Sequence, residues 1–401
     1  MTAVKNTEEN FHGPFENFFS TDTKIAIILT CVTISVTTIA AGITFQMPAL
    51  IYVFCAAVSI FCVVIAAYYW KKTSHCISSA EEAESIQLEK TQISTASLKN
   101  LIKPSKFNLR NCNNHCYLNV ALQLLFAIVP FRNEIIANSE GQLTPVVKKI
   151  FQYLATGENW NQLQVFDHDF SEIFAKIVPT YFANGRQEDA VGLLEHFLEI
   201  IEKEIHSTKL LFDVLSLEKE DIIEQKDDFY HFRTVRSKVV RITASTFFTL
   251  EQSLHNFTKE DFLTGENQIE SPNGKKTDTG ITYLFQEMPP FLLFQLERFD
   301  WISGKMEKLS NDFLFPESID MAEFMVDNTT PCKYKLAGMA CHRGTNYFGH
   351  YLTYILSEDG ESFMQLDSLG NKRAAAISKE KFMKHEDFIK NSYLALYVHI
   401  E

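Results

Sequence analysis

The sequence predicts an α+β domain preceded by a transmembrane α-helical hairpin. Two uncharged runs, residues 25–45 and 49–70, are each long enough to cross a bilayer. Further along, apolar residues at helical spacing trace one face of residues 189–205. Segments of strand character follow at 293–299, 334–339, 351–356 and 393–400. Helices first and strands later indicate a helical lobe that faces an antiparallel sheet lobe.

The hydrophobic hairpin has signals at its turn and at both ends. Only residues 46–48, with a proline, separate the two runs. An aromatic end at 68–70 is followed by Lys71 and Lys72, and Lys24 precedes the first run, so both ends are expected on the cytosolic side. The alternative is a buried helical hairpin of a soluble protein. The expected organisation is a cytosolic tail at 1–24, the two-helix hairpin at 25–70, a polar linker at 71–103 and a catalytic domain at 104–401.

The charge of the chain restricts the class of partner. The formal net charge is −13, whereas a nucleic-acid binder would carry a basic stripe. Acidity is compatible with a basic protein substrate, and general solubility explains it equally well. We therefore expect no nucleic acid among the partners.

The cysteine pattern argues against disulfides and against a cysteine-based zinc site. The eight cysteines form no C-x-x-C pair, so reducing surroundings are expected. No cysteine occurs between Cys116 and Cys332, which excludes a zinc site of four cysteines in that segment. We expect no metal and no cofactor.

A cysteine and a distant histidine are the candidate catalytic pair. Cys116 leads into an apolar helical pattern, and a helix start favours the thiolate through the helix dipole and free N–H groups. His350, within Gly349-His350-Tyr351, can complete the activation, because in cysteine proteases the two residues meet in space rather than in sequence. The alternatives are a buried structural cysteine and a core histidine at a strand start.

The residues around this pair resemble a known family. Residues 108–119, NLRNCNNHCYLN, resemble the cysteine box of the ubiquitin-specific proteases, G-L-x-N-x-G-N-T-C-Y-M/L-N. Residues 334–354 resemble the histidine box. Weaker landmarks follow the expected order, namely QEDA at 187–190, LERF at 296–299, FPESIDM at 315–321, FMQLDS at 363–368 and SYLALYV at 392–398. The resemblance covers residues 104–401.

The resemblance implies a papain-like ubiquitin-specific protease fold and a role for each matching residue. Cys116 is the nucleophile that attacks an isopeptide carbonyl, and His350 takes and later returns the proton. Asp367 fixes the imidazole tautomer, although it could also be a turn residue. Asn111 matches the oxyanion-hole asparagine.

Two more positions match residues that bind the ubiquitin tail in this family. They are Gln187 and Asp189, for which a helix N-terminus is the alternative role. Several positions depart from the family pattern: Asn108 and Asn113 replace glycines, His115 replaces threonine, Val120 replaces serine, Ser368 replaces an acidic residue and Gly192 replaces glutamate. These changes bear on rate and fine specificity more than on reaction class.

The hairpin resembles the inclusion membrane proteins of chlamydiae, which sit in a vacuole membrane and face the host cytosol. Together the resemblances imply a bacterial effector, a membrane-anchored thiol deubiquitinase with ubiquitin and ubiquitylated proteins as partners. A eukaryotic membrane-anchored deubiquitinase would look similar, although a hairpin with a short loop is less usual there than a single span. Two other classes stay open. One is a ubiquitin-binding membrane tether that does not cut, and the other is a different Cys-His-Asp enzyme, such as an acyltransferase or a protease for another ubiquitin-like modifier.

Overall fold

The computed structural model describes residues 98–111, 114–158, 176, 178–179, 186–222, 230–270, 274, 276–346, 348–370 and 373–400. The predicted tail at 1–24, the hairpin at 25–70 and the first part of the linker, 71–97, lie outside these residues. The predicted linker boundary at 103 is wrong, because residues 98–101 form a helix and Leu101 and Ile102, each 2% exposed, lie in the hydrophobic core of the domain. Among the described residues, no helix is both long enough and apolar enough to cross a membrane.

The helices of the described residues cluster in the first half of the domain. They are α1 (Leu98–Leu101), α2 (Cys116–Ala127), α3 (Val129–Ala137), α4 (Thr144–Thr156), α5 (Ala190–Glu204), α6 (Leu250–Phe257), α7 (Lys379–Met383) and α8 (Glu386–Ile389).

The boundaries of these helices follow from local chemistry. Prolines lie in the first turns of α3 and α4, where a missing backbone N–H is tolerated. Helix α4 ends at Gly157, which has φ of 70°, a left-handed conformation that glycine adopts without strain. Asp189 caps α5 by accepting hydrogen bonds from the N–H groups of Val191 and Gly192.

The strands follow, and most lie in the second half of the domain. They are β1 (Val214–Ile222), β2 (Tyr230–Ser237), β3 (Val240–Thr243), β4 (Asp261–Leu263), β5 (Ile269–Glu270), β6 (Lys276–Thr277), β7 (Thr279–Glu287), β8 (Phe291–Glu297), β9 (Phe299–Ile302), β10 (Lys305–Lys308), β11 (Ser318–Asp320), β12 (Lys333–Gly344), β13 (Gly349–Leu356), β14 (Ser362–Leu366), β15 (Ala375–Ser378) and β16 (Ser392–Ile400).

The main sheet has the order β15-β14-β13-β12-β16-β8-β3, with β11 also paired to β12. Its neighbours are antiparallel except β3 and β8, which are parallel, so the predicted antiparallel sheet is correct apart from this edge. Strand β16 lies between β12 and β8. Its residues alternate between two buried cores, with Leu394 and Leu396 on one face and Ala395 and Tyr397 on the other.

Helix α2 is the central helix of the domain. Every one of its residues is buried, which is expected of a helix that is enclosed on all sides. It packs against α5 on the helical side and against β13 of the main sheet. This contact places the first residue of α2 near the first residues of β13.

A separate sheet with the order β2-β1-β7-β4 projects from the segment between the two motif boxes. Its strands pair antiparallel, and Glu218 of β1 lies opposite Arg233 of β2 and accepts two hydrogen bonds from its guanidinium, at 2.5 and 3.0 Å. Cross-strand ion pairs of this kind stabilise pairing modestly.

The predicted elements are confirmed in type and order. A helix begins at Cys116, another follows Asp189, and strands cover the four predicted segments. The predicted strand at 293–299 ends earlier, at Glu297. The carbonyl of Arg298 accepts the N–H of Leu309 at 2.6 Å, outside the sheet ladder, and Phe299 begins β9. The fully buried side chain of Arg298 donates hydrogen bonds to the carbonyls of Ser392, Leu309, Asn311 and Ile389.

Candidate active site

Cys116 is the first residue of α2 and is only 2% exposed. The turn before it contains Asn114 with φ of 66°, a left-handed conformation that asparagine tolerates better than most residues. The preceding Cys112 and Asn113 lie outside the described residues. Cys116 borders a cleft of about 300 Å³ between the helical lobe and the sheet.

His350 is the second residue of β13, opposite Arg343 of β12. Its Nε2 lies 2.7 Å from Oδ1 of Asp367, and its side chain is also hydrogen-bonded to the thiol of Cys116. Because Nε2 faces the carboxylate, Nδ1 is the nitrogen left to face the thiol. The structure therefore brings Cys116, His350 and Asp367 into one hydrogen-bonded line.

His350 and Asp367 each stabilise the charged form of the other. Burial alone would lower the pKa of His350, but hydrogen bonds and charge from Asp367 and Cys116 outweigh it and raise that pKa to about 9. Burial would raise the pKa of Asp367, but His350, the N–H of Leu369 and the charge of Arg343 hold it below its usual value. An imidazolium held by a carboxylate is thus favoured at neutral pH.

Asp367 is fixed within its own turn as well as by His350. Its Oδ1 accepts a hydrogen bond from the N–H of Leu369 at 2.9 Å, the local arrangement typical of an aspartate turn. One carboxylate thus makes the turn contact and the contact with His350 at the same time, so its geometry fits both of the roles expected from the sequence.

Asn111 precedes Cys116 by five residues in the loop that leads into α2. Its Oδ1 accepts the N–H of His115 at 3.0 Å, and its own N–H donates to the carbonyl of Ser368 at 3.1 Å. Since the amide oxygen takes the backbone N–H, the amide nitrogen is the end left as a donor. That nitrogen is the group an oxyanion hole requires.

Gln187 pairs with the residue that precedes His350. Its Nε2 donates to the carbonyl of Gly349 at 2.7 Å, and the N–H of Gly349 donates to its Oε1 at 2.9 Å. Asp189 caps α5 and also accepts the hydroxyl of Tyr393 at 2.7 Å. Both residues line the cleft, and the helix-terminus role expected as the alternative for Asp189 is present.

His342 lies on β12, opposite Tyr351 of the strand that carries His350. It is 6% exposed, packs against Tyr351 with ring centroids 4.6 Å apart, and burial, aided by Lys308 and His350, lowers its pKa to about 4. A Cβ placed on Gly349 would lie 2.0 Å from its Nε2. His342 is therefore a neutral packing residue that requires glycine at position 349.

Sequence reasoning assigned no role to Asn108 or Tyr393. Asn108 contacts the backbone of Asp367, and the signal for it was a polar side chain where the family pattern has glycine. Tyr393 joins Asp189 to Gln295 through its hydroxyl, and only its place in the closing strand could have pointed to it. Within the described ranges, no group of three or more His, Cys, Asp or Glu side chains is arranged to hold a metal ion.

Comparison with known proteins identifies the family. A family model described as ubiquitin carboxyl-terminal hydrolase matches residues 107–397. The chain is similar to the probable ubiquitin carboxyl-terminal hydrolase 16 of Schizosaccharomyces pombe, at 22% identity over 280 residues, 65% of this chain and 61% of that protein. It is also similar to ubiquitin carboxyl-terminal hydrolase 15 of Saccharomyces cerevisiae, at 26% identity over 287 residues, 61% of this chain and 21% of that protein.

A solved structure shares the fold. The SAGA Ubp8/Sgf11/Sus1/Sgf73 DUB module bound to ubiquitin aldehyde matches with a TM-score of 0.63 at 18% identity, over 76% of this chain and 71% of that chain. Since the family model covers most of the chain, the chain belongs to the ubiquitin carboxyl-terminal hydrolase family. The chain spans less than two thirds of the length of the curated relatives named above.

Proposed function

We propose that the chain is a membrane-anchored deubiquitinase that hydrolyses isopeptide bonds after the C-terminal glycine of ubiquitin. The observation that carries the proposal is the hydrogen-bonded line from Cys116 through His350 to Asp367. A thiol, an imidazole and an orienting carboxylate in this order are the parts that acyl transfer by a cysteine nucleophile needs.

In the proposed reaction, the thiolate of Cys116 attacks the carbonyl carbon while His350 carries the proton. The tetrahedral intermediate collapses as His350 gives that proton to the leaving lysine amine, which leaves a thioester on Cys116. His350 then takes a proton from water, which hydrolyses the thioester and frees the ubiquitin carboxylate. The amide of Asn111 stabilises the oxyanion in both steps, a contribution of about 2.7–4 kcal/mol for such a donor.

Gln187 and Asp189 are proposed to hold the extended ubiquitin tail where it enters the cleft. Gln187 uses one donor and one acceptor site on Gly349, and a primary amide has two of each. Asp189 accepts from Val191, Gly192 and Tyr393, and a carboxylate has about four acceptor sites. Each side chain thus retains hydrogen-bonding capacity for a substrate backbone.

The membrane part of the proposal rests on the sequence of residues 25–70. Its two uncharged runs with flanking lysines favour a hairpin with both ends in the cytosol, and residues 71–97 would hold the domain away from the bilayer. The resemblance to inclusion membrane proteins extends the proposal to a pathogen vacuole membrane, with the domain of a bacterial effector facing the host cytosol. Protease protection on intact membranes tests the orientation. Residues 104–401 should be digested without detergent, and protection until detergent is added would contradict it.

A covalent trap tests the chemistry. Ubiquitin that carries a C-terminal electrophile should label the wild-type chain and leave Cys116→Ala unlabelled, while the variant still binds ubiquitin. Binding without labelling of the wild type would instead support a ubiquitin-binding tether. Labelling only by an electrophile on another ubiquitin-like modifier would support a protease for that modifier.

A further inference from the structure

The side chain of Asn108 contacts the backbone of the aspartate that orients His350. We infer that Asn108 is a positioning residue, which holds Asp367 in the place from which it aligns the imidazole with Cys116. This inference rests on the proposed hydrolase chemistry and assigns to this chain a residue that its resemblance to the family does not supply, since the family pattern has glycine at this position.

Asn108 is buried, at 3% exposure, and each end of its amide has a backbone partner in the loop that carries Asp367. Its Oδ1 accepts the N–H of Asp367 at 3.1 Å, and its Nδ2 lies 3.4 Å from the carbonyl of Arg373. Its own carbonyl accepts the hydroxyl of Tyr153 on α4 at 2.9 Å. The residue is thus held by the helical lobe while its side chain holds the aspartate loop.

Backbone pairing on both sides of Asn108 joins the same two segments. The N–H of Ala374 donates to the carbonyl of Lys106 at 3.0 Å, and the N–H of Asn111 donates to the carbonyl of Ser368 at 3.1 Å. Asn108 lies between these two contacts. Its side chain supplies the hydrogen bond that reaches Asp367 itself, and the neighbouring bonds bring the loop close enough for it to do so.

The hydrogen bond between Asn108 and the backbone of Asp367 affects where the Asp367 carboxylate lies. Its Oδ1 is bound by both His350 Nε2 and the N–H of Leu369, so the position of the Asp367 backbone sets the position of the imidazole. Without the Asn108 acceptor, the N–H of Asp367 loses its partner in a partly buried place, and the loop is expected to shift toward another acceptor or water. A shift of about 1 Å near reacting groups lowers rates by up to about 100-fold.

Two variants separate the parts of this role. Asn108→Leu keeps the size of the side chain and removes both hydrogen bonds. Asn108→Asp keeps an acceptor for the N–H of Asp367, loses the donor to Arg373 and adds a negative charge near the Asp367 carboxylate. Asn311→Leu is the matched control, because the Asn311 amide also donates to a backbone carbonyl, that of Ala244 at 2.8 Å, in a loop that contributes no residue to the triad.

The readout is alkylation of Cys116 by iodoacetamide from pH 5 to 10, with Cys116→Ala subtracted as the background of the other cysteines. The charged and titratable groups around His350 are Asp367, Cys116, His342 and Arg343, and all are retained. We expect Asn108→Leu to react about tenfold more slowly at pH 7 and to regain rate at higher pH, as an unassisted thiol does. Asn108→Asp should recover part of the rate, because the acceptor is kept although the added carboxylate repels that of Asp367, and Asn311→Leu should match wild type.

Turnover of a fluorogenic ubiquitin C-terminal amide gives the second readout. For Asn108→Leu we expect kcat to fall roughly 10- to 100-fold, with KM within about twofold of wild type. A wild-type alkylation profile and kcat in Asn108→Leu, with only a lowered Tm, would reduce Asn108 to a structural residue and overturn the inference. Alkylation needs no ubiquitin, so a wild-type chain that cuts no ubiquitin would defeat the proposed function while alkylation still decides the role of Asn108.

Discussion

Gln187 and Gly349 are joined by two hydrogen bonds, at 2.7 and 2.9 Å, across the cleft between the helical lobe and the main sheet. One partner lies just ahead of the capping residue of α5, and the other immediately precedes His350. The pair therefore sets the register of the histidine strand against the lobe that carries the nucleophile. It also forms one wall of the cleft through which a substrate tail would pass.

Removal of this amide should weaken catalysis without unfolding the domain. Gln187 is an exposed side chain, so each hydrogen bond stabilises the pair only modestly, on the order of 0.5–1 kcal/mol. We expect Gln187→Ala to lower kcat/KM for a ubiquitin amide about fivefold to tenfold. Gln152→Ala, an exposed glutamine on α4, should have no effect. Equal kcat/KM in wild type and Gln187→Ala would mean that the strand holds its register unaided.

Asp367→Asn should change the pH dependence of the reaction. The raised pKa of His350, about 9, depends on the Asp367 carboxylate. Loss of that charge lowers this pKa, so the alkaline limb of kcat/KM should move to lower pH by about one unit. The Oγ of Ser368 is buried without a hydrogen-bond partner among the described residues, so it does not hold His350 in the wild-type chain. An unmoved alkaline limb would contradict the assignment of Asp367.

The same raised pKa has a consequence for stability. His350 binds its proton more tightly in the folded chain than in the unfolded one, so its charge stabilises the fold fully below its unfolded pKa of about 6.5. That stabilisation is lost as the pH rises through about 9. Urea unfolding of wild type and Asp367→Asn should accordingly converge between pH 7 and pH 10.

Gly349→Ala should inactivate the protein, because the added Cβ clashes with His342. Replacing His342 as well should relieve that clash. The added Cβ would lie 2.0 Å from His342 Nε2 and 2.9 Å from the carbonyl of Arg343, so the backbone next to His350 must move. We expect kcat/KM to fall roughly 100-fold. His342→Ala vacates the imidazole site, and the double variant should regain part of the lost activity although the cavity lowers Tm. Losses that simply add in the double variant would rule out this contact as the cause.

Asp387→Asn should destabilise the sheet lobe. Asp387 is 2% exposed and accepts two hydrogen bonds from Arg343, at 2.8 and 2.5 Å, and one from Tyr354 at 2.7 Å. The Arg343 side chain is 42% exposed, so solvent screens the pair, and loss of the charge should lower the free energy of unfolding by about 1–2 kcal/mol. Urea unfolding at pH 7 measures it, and Glu380→Gln, which removes an exposed pair with Lys384, should leave stability unchanged.

The pH dependence of this stabilisation has a definite sign. Burial would raise the pKa of Asp387, but the hydrogen bonds from Arg343 and Tyr354 outweigh it and lower that pKa. The stabilisation is therefore present above the unfolded value of about 3.9 and is lost as the pH falls through the lower folded value. The gap between wild type and Asp387→Asn should be full at pH 7 and 5 and narrow below about pH 4. A gap that stays constant down to pH 3 would contradict this account.

Much of the fold was predictable because it depends on local pattern. Helix α2 follows from an apolar run after a polar loop, α5 from its capping aspartate, and β16 from a continuous buried run. The parallel edge made by β3 was not predictable, since four residues carry no signal of strand direction. The early end of β8 depends on Arg298, whose four carbonyl partners come from distant segments.

Some features of the candidate site were likewise predictable from the sequence, and others were not. Motif similarity singled out Cys116, His350 and Asp367, and the structure brings them together. The double contact of Gln187 with Gly349 and the hold of Asn108 on Asp367 both join residues more than 150 positions apart. Such pairs are set by how the lobes pack, which no local pattern reports.

The place of β16 in the main sheet sets the order in which reactivity can arise during synthesis. Residues 392–400 leave the ribosome after Cys116, His350 and Asp367, yet they lie in the middle of the sheet, between β12 and β8. Until they insert, β12 lacks its neighbour on that side, although the histidine strand β13 already has β12 and β14 beside it. The strands β8 and β3 can therefore join the half of the sheet that carries His350 and Asp367 only after residues 392–400 have been made, so the main sheet is completed late in synthesis.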